Sequence, residues 1–387
     1  MPLHFFTDST GKKFELSGQV ARLIFSLLHP ADLSNASLVN REWARFVAST
    51  RQYMRLLPPL KSLSLFSQVT IDVVEFKIMT GGMTNVTCKV DIGRDFDDDT
   101  RPKPKSWVVR FPGNSDSLGI VRAAEKYNAE QAALLELNIP IAEFDPNTGM
   151  QATNYIEDVK TVDAKMLERQ EILGELAAIA KKLHASSAFA NDTPVFDRND
   201  ALFNGLRRTK FKFDPEVDFV IPQMSYLKRL FASYEFKLHP CHNDPTLSNY
   251  ISFFDKTKKQ ELLRLIDWEY SGNNDFFWDL AYFSIEAKLT REQEEVYLNA
   301  YFGGEVPKEA QAWFTAYKPL VEWWITLWAW TQLNNKADSV DLSEYEKMGI
   351  ERFAKTCAYL NSDEFKDAVS VIESRRTSTV ALTPRPF

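Results

Sequence analysis

The sequence predicts an α+β chain in which a strand-rich stretch precedes a longer, mostly helical one. Apolar residues alternate over Val69, Ile71, Val73, Phe76 and Ile78 and again in S-W-V-V-R-F from Ser106, the period-2 pattern of half-buried strands. Beyond Met166 they recur at helical spacing, first in M-L-E-R-Q-E-I-L-G-E-L-A-A-I-A-K-K-L-H and then through an aromatic-dense section after Leu280. With 387 residues, 44% of them hydrophobic, the chain can bury one large core or two smaller ones.

Charge and cysteine usage narrow the function classes. Lys and Arg number 46 against 53 Asp and Glu, a formal −7 without any concentrated basic block, so a nucleic-acid partner has little electrostatic support. Cys88, Cys241 and Cys357 are odd in number and lack metal-ligand spacing, which fits a reducing compartment rather than a disulfide framework. The start, M-P-L-H-F-F-T-D, lacks an apolar run of signal-peptide length, and the longest apolar segment, Leu320 to Trp330, is too short for a membrane span and contains Glu322. A soluble, cytoplasmic chain is the expectation.

Residues 14–57 read as short helices: Leu23, Ile24, Leu27 and Leu28 form one apolar stripe, Pro30 opens the next turn, and Leu33, Leu38, Val39, Trp43 and Phe46 continue it. Pro58 and Pro59 mark an expected linker to a strand-rich region over 60–158. Its first two strands flank M-T-G-G-M-T-N, where Gly81 and Gly82 lack the side chains that would block backbone N–H groups from a phosphate, although most such turns are only hairpins. Asp95, Asp97, Asp98 and Asp99, followed by R-P-K-P-K, form a solvated hairpin tip. Arg110, on the next strand, is either a surface cation or a bidentate partner for nucleotide phosphates. Glu125, fifteen residues later on a helix with an inward Ala and Leu face, is assigned as its ion-pair partner, with Glu130 as the alternative.

The strand G-M-Q-A-T-N-Y-I-E-D then leads into a helical region over 159–373, opened by the helix from Met166 to His184. His184 reads as a packing and hydrogen-bonding residue, and residues 185–235 offer no chemistry. Residues 374–387 form a polar, flexible tail.

The chemistry concentrates between His242 and Asp279. H-N-D-P-T-L-S-N sets Asp244 five residues ahead of Asn249, and Asp267 ends the apolar run Leu262, Leu263, Leu265, Ile266. Asp and Asn also mark ordinary turns. Three oxygen ligands in this order, one closing a strand, are what phosphoryl transfer needs. One carboxylate takes the acceptor hydroxyl's proton, while an amide oxygen and a second carboxylate hold the magnesium ion that bridges the nucleotide phosphates. The protein-kinase catalytic loop H-R-D-x-x-x-x-N has the same interval.

These motifs resemble those of the choline/ethanolamine kinase branch of the aminoglycoside phosphotransferase superfamily, whose fold is protein-kinase-like. The resemblance implies a two-lobed fold, a β-rich N-lobe over 60–158 and a mostly helical C-lobe over 159–373, and ATP-dependent transfer to an alcohol. It implies that Asp244 acts on the acceptor hydroxyl, Asn249 and Asp267 hold Mg2+, and Arg110 meets the phosphates. Gly81, Gly82, Met83, Thr84 and Asn85 resemble the phosphate loop, Tyr155 and Ile156 the adenine contacts, and Asp279 an acid that braces the catalytic loop. Pro245 departs from the apolar residue usual at its place, which removes no ligand.

A quaternary ammonium has no hydrogen to donate, so aromatic faces and carboxylates must hold it. Glu286, in F-S-I-E, and Trp328, in L-W-A-W-T-Q, resemble the choline-pocket residues of that family, and Tyr270 is a further candidate wall. Trp323, Trp324 and Trp330 read as core, and Trp328 is core if the pocket reading fails. Choline is favoured over ethanolamine or an aminoglycoside, which would ask for more carboxylates.

Residues 14–57 also resemble an F-box through L-H-P-A-D-L and L-V-N-R-E-W; an ordinary helical extension is the alternative. An F-box implies docking on the Skp adaptor of Cullin-RING ubiquitin ligases. The rival function is then an adaptor whose kinase-like domain recognises a target, and a bacterial effector in a host cytoplasm would suit the pairing of segments.

Overall fold

Three capped helices follow a short N-terminal hairpin. The structure, a computed structural model, describes residues 3–7, 13–79, 85–93, 105–113, 118–336 and 342–377. The chain divides into two compact units, Met1–Gly113 with Ile141–Tyr155, and Asn114–Pro140 with Ile156–Phe387.

In the first unit, strands Leu3–Thr7 and Lys13–Leu16 pair antiparallel ahead of helices Gly18–Ser26, Pro30–Ala36 and Arg41–Leu60. Ser17 caps the first helix by accepting from Val20 N, and Asn40 caps the third by accepting from Trp43 N at 2.9 Å. Leu3, Ala21, Phe25, Leu33 and Val47 form their core. Of the apolar positions read from the sequence, Leu33 is buried and Leu28, Trp43 and Phe46 pack on this core, whereas Leu23, Ile24, Leu27, Leu38 and Val39 are exposed.

The expected linker is a second correction. Pro58 and Pro59 lie in the last turn of the helix Arg41–Leu60. There each removes one backbone bond, while Lys61 N still reaches Leu57 O at 3.1 Å and Ser62 N reaches Pro59 O at 3.0 Å. The helical register is worth keeping because Tyr53, Leu56 and Leu60 are buried with Val74, Cys88, Val90 and Val109, the core of a five-stranded antiparallel sheet. One helix thus serves both cores. The Tyr53 hydroxyl also accepts from Phe76 N at 3.1 Å, and the Arg22 guanidinium lies 4.4 Å from the Tyr53 ring centre.

That sheet runs, in spatial order, Val74–Met79, Val86–Ile92, Lys105–Phe111, Gln151–Asn154 and Ile141–Phe144. The first strand begins only at Val74; Val69 and Ile71 are buried from the turns before it. The Gly81–Thr84 turn and the acidic tip at Asp95 to Asp99 lie outside the described residues.

The helix Arg122–Leu134, read as part of the strand-rich region, groups with the second unit. Asn128 Nδ2 donates to Ser271 O at 3.2 Å, and Leu265 N donates to Leu137 O at 2.8 Å. Residues 185–235 contain the helices Val195–Arg208 and Val217–Ala232. Strand Tyr250–Asp255 pairs with Gln260–Leu265 and Lys160–Thr161, and Gly272–Asn274 pairs with His239–Cys241. A Cβ on Gly272 would come within 2.5 Å of Thr193 Cγ2 and 3.0 Å of Asn191 O, so only glycine lets that strand pass.

The helices Phe276–Glu286, Arg291–Phe302, Lys308–Asn334, Leu342–Asn361 and Asp363–Thr377 complete the unit, so 374–377, read as tail, are helical. Lys308–Asn334 is buried along most of its length; Trp323, Trp324 and Trp330 are core, and Trp328 is half-buried. None of the described helices is long and apolar enough to cross a membrane.

Leu60→Ala should lower the stability of the strand-rich unit by about 2–5 kcal/mol, read by urea unfolding. A change near zero would mean that the prolines end the helix in a free linker.

Candidate active site

Asp279 organises the loop that carries Asp244 and Asn249. Its Oδ2 accepts from His242 N at 2.7 Å and its Oδ1 from Asn243 N at 2.8 Å. His184 Nε2 lies 3.2 Å from the same Oδ2, with Tyr301 OH 2.8 Å from Nδ1. Cys241 completes a buried His184, Cys241, Asp279 group whose ligand atoms fall within 4.8 Å. Burial pushes its thiol well up and its S–H points at Asn274 O, so the group is a hydrogen-bonded brace.

The loop is then fixed from the other side. Asn243, left-handed at φ 66°, donates through Nδ2 to Thr193 Oγ1 and Tyr270 O, both at 2.9 Å. His242 Nδ1 accepts from Asp244 N at 3.3 Å, which leaves the proton on Nε2 to donate to Ile266 O at 3.0 Å. Ile266 N in turn donates to Asn249 O at 2.9 Å. Both backbone groups of Ile266 are therefore tied to the loop, and Asp267 follows directly, also left-handed at φ 66°.

Asn249 Nδ2 donates to Asp244 O at 2.9 Å and Oδ2 at 3.2 Å, so Oδ1 is the atom left for a cation. Burial pushes the Asp244 carboxyl well above the usual range; a hydrogen bond from the Tyr282 hydroxyl opposes this, and the charges of Asp267, Glu286 and Glu269 add to it. The arrangement joins a proton acceptor to hard oxygen donors suited to Mg2+.

Two aromatics far apart in sequence meet beside this centre: Trp328 Nε1 donates to the Tyr270 hydroxyl at 2.9 Å, and both side chains are half-buried. Glu286 is 2.5 Å from Arg352 Nη2, and Arg352 Nη1 is 3.2 Å from buried Glu322. Against the pull of burial, these two carboxylates raise the Arg352 pKa and keep it charged.

The remaining predicted residues divide between the units. Arg110 is buried on the central strand of the five-stranded sheet, its Nη2 donating to Gly149 O at 3.2 Å. Asn85 Oδ1 accepts from Gly113 N at 3.3 Å, and Tyr155 N donates to Ser106 O at 3.1 Å beneath the Lys89 ammonium, 4.5 Å from its ring centre. Gly81, Gly82, Met83 and Thr84 lie outside the described residues. Glu125 is buried and Glu130 exposed. Arg122 Nη1 bridges Glu125 at 2.7 Å and Glu269 at 3.2 Å. Ile156 opens the second unit.

Residues 76–322 match the choline/ethanolamine kinase family. The chain belongs to that family. LicA of Haemophilus influenzae is 29% identical over 228 residues, 57% of this chain and 61% of that one, so the chain spans less than two thirds of this relative. A choline/ethanolamine kinase family protein from Mesorhizobium loti superposes with a TM-score of 0.66 at 25% identity, covering 83% of this chain and 98% of that one. The choline kinase LicA from Streptococcus pneumoniae does so at 0.61 and 23%, covering 79% and 99%. The fold is protein-kinase-like, with a β-rich N-lobe and a helical C-lobe. Within this family frame, sequence reasoning missed Tyr282, read only as core, and the arginines Arg122, Arg198 and Arg352. Arg122 and Glu125 stand at i,i+3 spacing on one helix, a signal that could have paired them, whereas Glu269 and the partners of Arg198 and Arg352 sit on distant segments.

Burial holds the His242 imidazole at about 4, below its ordinary 6.5. As pH falls the unfolded chain takes the proton first, so the neutral histidine's full contribution stands above 6.5 and is lost on the way to 4. Stability measured by urea unfolding should fall by about 3 kcal/mol more across that window in the wild type than in His242→Gln; parallel pH profiles would contradict this.

Proposed function

We propose that this chain transfers the terminal phosphoryl group of ATP to the hydroxyl of a small amino-alcohol, choline ahead of ethanolamine. The observation that carries the reading is the mutual fixing of Asp244, Asn249 and Asp267 through His242 and Ile266. Asp244, with its raised pKa, orients the acceptor hydroxyl and takes its proton. Asn249 Oδ1 and the Asp267 carboxylate would hold Mg2+, which when bound neutralises charge on the phosphates. Arg110 and the backbone around Gly81 and Gly82 meet the nucleotide phosphates.

Tyr270 and Trp328 offer faces to an ammonium group. The commitment of Glu286 to Arg352 favours choline over ethanolamine. A primary ammonium must find acceptors for three N–H groups, whereas a quaternary one needs none.

Asp244→Ala should cut choline-dependent ATP turnover roughly a hundredfold to ten-thousandfold while ATP binding by calorimetry stays close to wild type. Turnover assayed against choline, ethanolamine, thiamine and aminoglycosides should be highest for choline among these. Undiminished turnover in the variant would refute the role of Asp244.

A second reading concerns the N-terminal segment, for which we propose binding to the Skp adaptor. Its support is the exposed row Leu23, Ile24, Leu27, Leu38 and Val39, with Leu27 79% and Leu38 82% exposed. The three cysteines are buried and free, in keeping with a reducing, cytoplasmic setting. Leu27→Asp with Leu38→Asp should abolish co-purification with Skp and leave choline-dependent turnover intact. Adaptor binding without turnover on any amine would favour a recognition module instead.

A further inference from the structure

Arg198 lies on the helix Val195–Arg208, in the stretch whose sequence offered no chemistry. Its guanidinium carbon stands 4.0 Å from the centre of the Trp324 ring and 5.7 Å from that of Tyr270. Both terminal nitrogens are shut off from solvent, and among the described residues neither has a hydrogen-bond partner. The nearest acids on its own helix are engaged elsewhere: Asp197 and Asp200 lie 3.0 and 2.8 Å from Lys228 Nζ.

Burial pulls Arg198 down to about 10, while Tyr270, Tyr282 and Asp244 work the other way, so it stays charged at neutral pH. A desolvated cation with two unmade donors is costly in a folded chain. Arg352, by contrast, has Glu286 and Glu322 as partners. What Arg198 lacks is an anion, and the planar guanidinium fork matches a carboxylate with two parallel bonds.

We propose that Arg198 determines acceptor specificity by binding a carboxylate on the acceptor, so that the preferred substrate is a small amino-alcohol bearing a carboxylate beside its amine. This rests on the phosphotransferase reading above and narrows its acceptor. Tyr270 links the two parts of the recognition: its ring borders Arg198, and its hydroxyl receives the Trp328 N–H at 2.9 Å. An acceptor carrying only an ammonium group would meet a like charge at this wall. One carrying both charges sets its anion between the two cations.

The pairs ethanolamine with L-serine, and choline with N,N,N-trimethyl-L-serine, each differ by one carboxylate. Wild-type kcat/KM should be about tenfold or more higher for the acid member of each pair, equivalent to about 1.4 kcal/mol. Arg198→Met should erase that ratio mainly through KM, and Arg198→Lys should restore part of it. Calorimetric titration of the same four compounds into protein loaded with ADP and Mg2+ reads the preference without turnover. No preference for the acid members in wild type overturns the assignment, as does an Arg198→Met loss equal for all four acceptors. An acid preference in binding with no turnover of any acceptor overturns the phosphotransferase reading and leaves the role of Arg198 standing.

Discussion

One buried carboxylate positions the loop that carries the proposed reactive residues of the second unit. Asp279, on the helix Phe276–Glu286, accepts two successive backbone N–H groups from His242 and Asn243, and so fixes the direction in which the chain leaves the strand His239–Cys241. A left-handed Asn243 comes next, a conformation that holds only where the surroundings over-determine it. From that point Asp244 is placed by its backbone and Asn249 by its bonds to Asp244. Asp267 is placed at one remove, through the neutral imidazole of His242 and the backbone of Ile266. Such a chain of bonds is cooperative, and a group left unpaired inside it would cost more than its own bond.

Local pattern made the fold class legible. The alternation through Phe76 and Ile78 and the run from Ser106 became Val74–Met79 and Lys105–Phe111, two strands of one sheet, and the Met166 to His184 periodicity became a 3-10 turn followed by the helix Gln170–His184. Short-range motifs were equally readable, because Asp244 and Asn249 bond to each other across five residues. What pattern does not encode is which face of an amphipathic helix finds a partner. Leu23, Ile24 and Leu27 form a stripe no different in sequence from a core stripe, yet Ala21 and Phe25 are the buried pair. Proline chemistry misled for a related reason. A diproline argues for a break on local grounds, but the burial of Leu56 and Leu60 keeps the last turn helical.

The arginines were illegible for a different cause. An arginine on an amphipathic helix reads as solvated surface, and only the tertiary structure brings Arg352 to Glu286 and Glu322, or Arg198 to Trp324. Their contrast is informative. Arg352 sits in a site that supplies its counter-charge, so its energetic role is closed within the chain. The site around Arg198 supplies aromatic faces, which attract a cation but cannot take its N–H protons as a carboxylate does. The buried Trp324 and the half-buried Tyr270 therefore have a cation beside them.

The helix Arg41–Leu60 carries a consequence for how such a chain could arise. Its first half completes the small core around Phe25 and Leu33, and its second half floors the sheet under Val74 and Val109. A gene crossover falling anywhere between Val47 and Leu60 would orphan one core or the other. The two cores are therefore joined by one continuous helix, and a cut within it exposes side chains that one of them keeps buried.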